Sequence, residues 1–250
     1  GLERYGAGTA SVRFICGKLK PHVELERDLA AVLGTEAALA YTSCWNANQA
    51  LIDTLADERT AILSDRLNHA SIIDGVRLGR PGYKAVYEHC DSDDLERQLA
   101  GVPEGSRVLV ITDGVFSMEG DLAPLPELLA VTERYGATLV VDDSHGLGMV
   151  GEAGRGVCER FDCLGRDDVI ITGTIGKALG GAAGGFVAGS EALCSVLEQR
   201  SRAQLFSNGL PPSVACGARR ALEEVRENPE LLRRLRANID RMRRGLERIG

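Results

Sequence analysis

The stretch Val108–Gly146, VLVITDGVFSMEGDLAPLPELLAVTERYGATLVVDDSHG, decides the fold class. It opens on a short apolar run, Val108–Ile111, and closes on another, Thr138–Val141. Both are continuous enough for strands buried on two faces. Between them Leu125–Tyr135 repeats its apolar residues at helical spacing. Pro124 and Pro126 stand at its start and Gly136 at its end, which is the usual asymmetry of helix punctuation. This is a strand–helix–strand unit.

The same alternation continues outward in both directions. Ala37–Tyr41, Ala61–Leu63, Lys84–Tyr87, Val169–Ile171 and Gly185–Ala188 read as further buried strands. Asn46–Leu55, Ser71–Leu78 and Asp93–Leu99 read as helices among them. Near the start, Leu25, Leu29, Val32 and Leu33 mark one face of an amphipathic helix, closed by Gly34. Beyond Pro211-Pro212 the pattern is helical and Arg-rich, a solvated helix face, with a break near Asn228-Pro229. The expectation is an α/β fold with a mainly parallel sheet flanked by helices.

Composition agrees and narrows the function. With 250 residues, the chain makes one large or two small domains at roughly 150 residues each. Hydrophobic residues are 44% and charged residues 26%, enough for a proper core, and aromatics are only 4% against 30 glycines. Lys+Arg 29 against Asp+Glu 36 leaves a net charge of −7, which argues against nucleic acid or an anionic membrane as the main partner. The seven cysteines form no CxxC pair and no zinc spacing, so a reduced, cytoplasmic compartment is the simpler reading. No apolar run approaches the ~18 residues of a membrane span, and no signal peptide opens the chain. The chain starts at Gly1 and stops inside a helical pattern, so it is expected to be a piece of something longer.

In open parallel sheets ligands sit at the carboxyl ends of strands, and three strand ends here are rich in chemistry. Asp142-Asp143-Ser144-His145 follows Thr138–Val141; alone it could be a capped turn, and four histidines in the whole chain supply too few ligands for a metal site. Thr172-Gly173-Thr174-Ile175-Gly176-Lys177 follows Val169–Ile171. A lysine among small residues after a buried strand is expected to be desolvated, hence neutral and nucleophilic. A surface lysine in a glycine loop is the plainer alternative. A phosphate loop of the GxxxxGK[ST] type is excluded, because Ala178 follows the lysine. Thr112–Gly120 carries Ser117, but its glycines lie three residues away on either side, so the G-x-S-x-G elbow of a hydrolase fails. A strand-end aspartate, a histidine three residues on and a lysine after a following strand suggest pyridoxal phosphate: the carboxylate keeps the pyridine nitrogen protonated, and the lysine holds the aldehyde.

A resemblance strengthens that reading. GAGTASVRFICG (Gly6–Gly17), YTSCWNAN (Tyr41–Asn48), SDRLNHASIIDGVRL (Ser64–Leu78), TDGVFSMEGD (Thr112–Asp121), VDDSHGLGMVGEAGRG (Val141–Gly156), TGTIGKALGGAAGG (Thr172–Gly185) and RSRAQLFSN (Arg200–Asn208) run in the order of the α-oxoamine synthases, pyridoxal-phosphate enzymes of fold type I. The resemblance implies a large cofactor-binding α/β domain over residues 1–210 and, over 211–250, a helical connection into an incomplete C-terminal small domain. It implies a homodimer with a shared active site. The reaction it implies condenses glycine with acetyl-CoA to give 2-amino-3-oxobutanoate and CoA, or runs in reverse during threonine breakdown.

Residue by residue, the resemblance makes Lys177 the Schiff-base lysine and proton shuttle. Asp142 pairs with the pyridine nitrogen, His145 with the phenolic oxygen, and His69 stacks on the ring. Ser117 lies beside the cofactor. Thr174 and the backbone N–H groups of Cys44 and Trp45 receive the phosphate. Ser207 and Asn208 reach the phosphate of the neighbouring subunit. Trp45 stands where Phe is common, a departure that a backbone contact tolerates. The arginine and asparagine that hold the substrate carboxylate are expected outside Gly1–Gly250. Two other readings stand beside this one: an α-oxoamine synthase using another amino acid or a longer acyl-CoA, and a non-catalytic protein of the same fold. The joint presence of Lys177, Asp142 and His145 speaks against the second.

Overall fold

The computed structural model describes residues 1–249. Helices α1 (Leu2–Tyr5), α2 (Arg13–Cys16) and α3 (Lys20–Leu33) lead into β1 (Ala37–Tyr41) and α4 (Cys44–Leu55). Then come β2 (Thr60–Asp65), α5 (Ala70–Gly79), β3 (Tyr83–Tyr87), α6 (Ser92–Leu99), β4 (Arg107–Asp113) and α7 (Leu125–Arg134). They are followed by β5 (Thr138–Asp142), α8 (Val157–Arg160), β6 (Val169–Thr174) and β7 (Gly185–Gly189). Helices α9 (Glu191–Arg200), α10 (Arg202–Leu205), α11 (Pro212–Glu227) and α12 (Pro229–Glu247) complete the described chain.

Every apolar run expected to be a strand is one, and they form a single sheet in the order β1-β7-β6-β5-β4-β2-β3. The β2–β3, β2–β4, β4–β5 and β5–β6 pairs are parallel, whereas β7 runs antiparallel to both β6 and β1. The reversal follows from the link. Residues 175–184 join β6 to β7 without a helix, and a parallel crossover needs a dozen or more residues. The chain therefore turns back on itself.

Apolar side chains of the sheet alternate between two cores. Leu63, Val110, Leu139, Val141 and Ile171 face the side covered by α3, α6, α7 and α11. Ile62, Leu109, Ile111, Val140 and Ile170 face the side covered by α4, α5 and α9. Pairing continues past the apolar runs into polar residues, so that Asp113 is opposite Asp142, and Asp142 opposite Thr172. Period-two alternation turns these three toward α4 and α5. A polar row thus sits at the carboxyl end of the central strands, close to where the order switches between β2 and β4.

Candidate active site

A cavity of about 200 Å³ lies over that row, lined by Cys44, Trp45, His69, Ser71, Asp113, Ser117, Asp142, Ser144, His145, Thr174 and Lys177. A larger one, about 370 Å³, lies between α3, α11 and α12, but its lining is mostly aliphatic and carries no nucleophile. Converging polar groups, not volume, identify the site. Of the residues singled out in the sequence, all but Ser207 and Asn208 meet here. Ser207 lines a separate groove with Asn46, Asp53 and Phe206, and Asn208 pairs with Val12 in an isolated antiparallel bridge.

Lys177 projects from the link between β6 and β7. Ile175 and Leu179 of the same turn point into the core, and backbone bonds Gly180 N to Lys177 O (2.9 Å) and Gly181 N to Ile175 O (2.9 Å) close it. That arrangement aims Lys177 outward. The expected desolvated lysine is therefore corrected: Lys177 is exposed, at the mouth of the cavity. Its Nζ lies 2.7 Å from His145 Nε2. Burial, reinforced by the Lys177 charge, holds the His145 imidazole below its ordinary pKa and so favours the neutral ring.

Asp142 is buried at the end of β5 with donors aimed at both oxygens. Asn48 Nδ2 donates to Oδ2 at 2.6 Å, Ser144 N to Oδ1 at 3.1 Å, and the Cys44 thiol lies 3.6 Å from Oδ2. This suits a carboxylate, which can only accept. Burial and the Asp142 charge push the Cys44 thiol well above its usual range, so it stays protonated. Asp113, next to Asp142 in the sheet, is raised to about 8 by burial and then by Asp142. Its Oδ2 accepts from the backbone N–H of His69 at 3.0 Å, which fixes the start of α5. His69 caps that helix, its Nδ1 accepting from Ser71 N at 3.2 Å, and its ring meets Trp45 edge-on at 6.1 Å.

The cavity is also bordered by the start of α4. Ser43 caps it, accepting from Asn46 N at 3.1 Å, and the first-turn N–H groups of Cys44 and Trp45 have no intrahelical acceptor. A Cβ on Gly185 would stand 2.2 Å from Cys44 N, so glycine there lets β7 come up against the helix start. The Thr174 hydroxyl, expected on a phosphate, donates to Gly184 O at 2.8 Å and accepts from Gly176 N at 3.2 Å. Here it shapes the lysine loop.

With this geometry in hand, comparison with known proteins is decisive. Residues 3–250 match the family model for aminotransferase class I and II. The chain belongs to that family. It is 48% identical over its whole length to 2-amino-3-ketobutyrate coenzyme A ligase of Escherichia coli, of which it covers 63%. It is 45% identical over its whole length to 8-amino-7-oxononanoate synthase of Treponema denticola, of which it covers 62%. Among solved structures, serine palmitoyltransferase of Sphingomonas wittichii superposes on all of this chain with a TM-score of 0.94 at 35% identity, over 62% of its own length. The chain thus spans less than two thirds of these relatives.

Not singled out in the sequence were Ser71, Asp113 and Ser144, which line this aminotransferase-family pocket, and Asn48 and Thr172, which lie behind it. Asn48 was the most readable of them. It falls on the buried stripe of α4 with Ala47, Leu51 and Ile52, where an amide needs a partner. Asp113 could have been found as a charged residue ending an apolar strand, the signal that pointed to Asp142.

Proposed function

We propose that this chain is the cofactor-binding part of glycine C-acetyltransferase, also called 2-amino-3-ketobutyrate coenzyme A ligase, a pyridoxal-phosphate-dependent α-oxoamine synthase. The observation that carries the reading is the convergence of Lys177, His145 and Asp142 on one cavity, in a chain 48% identical throughout to a ligase of that name. The overall reaction joins the glycine α-carbon to the acetyl carbon of acetyl-CoA; the C–S bond breaks and CoA leaves.

The residues that line the cavity suit pyridoxal phosphate. Gly185 lets β7 pack against the start of α4, where the N–H groups of Cys44 and Trp45 suit a phosphate. Asp142 supplies an anionic acceptor for a protonated ring nitrogen, His145 a neutral partner for the phenolic oxygen, and His69 and Ser117 line the ring. Lys177 is the amine for the aldehyde. Bound pyridoxal phosphate supplies an electron sink for the carbanion formed at the amino acid's α-carbon. Lys177, when its amine is free, would take the α-proton, and neutral His145 at 2.7 Å avoids a second positive charge beside it. Thr174 orders the loop that carries Lys177.

The working enzyme in this reading is a homodimer in which Ser207 and Asn208 serve the partner's phosphate site. Residues 1–210 are the cofactor-binding domain, and 211–250 lead into the small domain. The setting is cytoplasmic, with the reverse reaction serving threonine breakdown. Among the described residues no helix is long and apolar enough to cross a membrane. A second reading, 8-amino-7-oxononanoate synthase, has support from the relative of that name at 45% identity.

Borohydride reduction of the full-length protein with pyridoxal phosphate, followed by peptide mass spectrometry, tests the site. The pyridoxyl label is expected on Lys177; label on Lys18, Lys20 or Lys84, the other lysines of the chain, overturns it. CoA release from acetyl-CoA driven by glycine supports the acetyltransferase. Release driven by alanine with a longer acyl-CoA instead moves the assignment to the second reading.

A further inference from the structure

One buried amide ties the pocket together. Asn48, on the sheet-facing side of α4, is 2% exposed. Its Nδ2 donates to Asp142 Oδ2 at 2.6 Å and to Ser71 Oγ at 2.9 Å. Ser71 Oγ lies 2.8 Å from His69 Nδ1. On the other side, Asn48 Oδ1 accepts from Thr172 Oγ1 at 2.7 Å. A carboxylate oxygen only accepts, so the Asn48 atom nearest Asp142 is the nitrogen, and the amide can sit only one way round. A single side chain thus joins α4, β5, β6 and the start of α5.

We propose that Asn48 is a positioning residue: it aims Asp142 at the ring nitrogen of the bound cofactor and, through Ser71, holds the His69 ring in place beside it. The inference rests on the reading of Asp142 given above. Asn48 need not touch the cofactor. Both of its N–H bonds go to groups that line the cavity, and both fix orientation. Without it, Asp142 would keep only Ser144 N on one oxygen and the weak thiol contact from Cys44. The carboxylate would be free to turn, and a bond to a ring nitrogen depends on its direction.

The test compares two ligands rather than two activities. Binding of pyridoxal phosphate, and of its 1-deaza analogue with CH in place of the ring nitrogen, is measured by equilibrium dialysis on cofactor-free full-length protein. Wild type is expected to prefer pyridoxal phosphate by about 10- to 100-fold, the range of one charge-assisted hydrogen bond. Asn48→Ala should shrink that preference to a few-fold while leaving affinity for the deaza analogue within about threefold. Equal weakening of both ligands would make Asn48 merely structural and overturn the proposal, as would a variant that keeps the full preference. If wild type itself shows no preference, the fault lies in the assignment of Asp142, and the role of Asn48 falls with it. Thr172→Val removes only the hydroxyl that orients the amide. It should lose part of the preference, and it decides the matter if Asn48→Ala does not fold.

Discussion

Asp142 and Asp143 are neighbours in sequence with opposite surroundings. Asp142 meets donors on both oxygens. Asp143 turns away into a cradle of glycines, where a Cβ on Gly146 or Gly156 would stand 2.0 or 1.7 Å from its oxygens. Its Oδ2 accepts from Val157 N at 2.8 Å, and its Oδ1 has no partner. Burial raises Asp143 to about 7. An unfolded aspartate titrates near 3.9, so between about 4 and 7 the folded state holds a proton that the unfolded state has released. Stability from this group is present below that window and is lost as pH rises through it. Asp143→Asn should mimic the protonated acid. In thermal unfolding from pH 5 to 8, wild-type Tm is expected to fall relative to the variant's as pH approaches 7. Parallel curves would mean that Asp143 is charged throughout. The string DDSH showed that acids end this strand; which of them faces the pocket was decided by the alternation of β5.

At the scale of elements, the approach of β7 to α4 shapes the part of the cavity proposed to take the phosphate. Gly185 begins β7 and abuts the backbone of Ser43 and Cys44; a Cβ added to it would stand 2.3 Å from Ser43 C and 2.2 Å from Cys44 N. Backbone atoms cannot swing aside as a side chain can. Gly185→Ala should therefore push the helix start off the strand, at a cost of about 1–3 kcal/mol and occasionally more, as overpacking does. Calorimetry is expected to show a lower Tm, and titration a weaker affinity for pyridoxal phosphate. An unchanged Tm with unchanged affinity would mean that the close approach of β7 to α4 is not needed. The helices and strands themselves were legible, because period 2 and period 3.6 are written in the apolar residues. The exposure of Lys177 was not. Small neighbours suggested burial, but the side chain's direction depends on a turn in which Ile175 and Leu179 take the inward positions.

At the scale of the molecule, Ser207 and Asn208 lie outside the cavity of their own chain. That position is compatible with service to a partner, and mixing variants tests it. Full-length Lys177→Ala protein lacks its own amine but keeps both residues. A Ser207→Asp, Asn208→Asp double variant keeps the amine but places two charges where a phosphate would approach. Each is expected to be inactive alone. Equal mixing with subunit exchange should restore about a quarter of wild-type activity, because half of the dimers are hybrids and each hybrid has one intact site. No recovery, from variants that light scattering shows have exchanged, would confine the site to one chain.

Taken alone, the residue order determined the strand–helix alternation, the mainly parallel sheet and most of the residues that line the pocket. The elements and the strand-end residues Asp142, His145 and Lys177 are legible because buried strands must be apolar and because reactive groups gather where such strands end. Cys44, Trp45 and His69 came with the family resemblance. The tertiary structure decided the reversal of β7, the outward aim of Lys177, the different surroundings of Asp142 and Asp143, and the partners of Asn48. Each depends on which atoms meet across elements far apart in sequence: Asn48 and Thr172 are 124 residues apart and 2.7 Å from each other. Local pattern specifies an element and its buried face, whereas hydrogen-bond partners are set only when the elements pack.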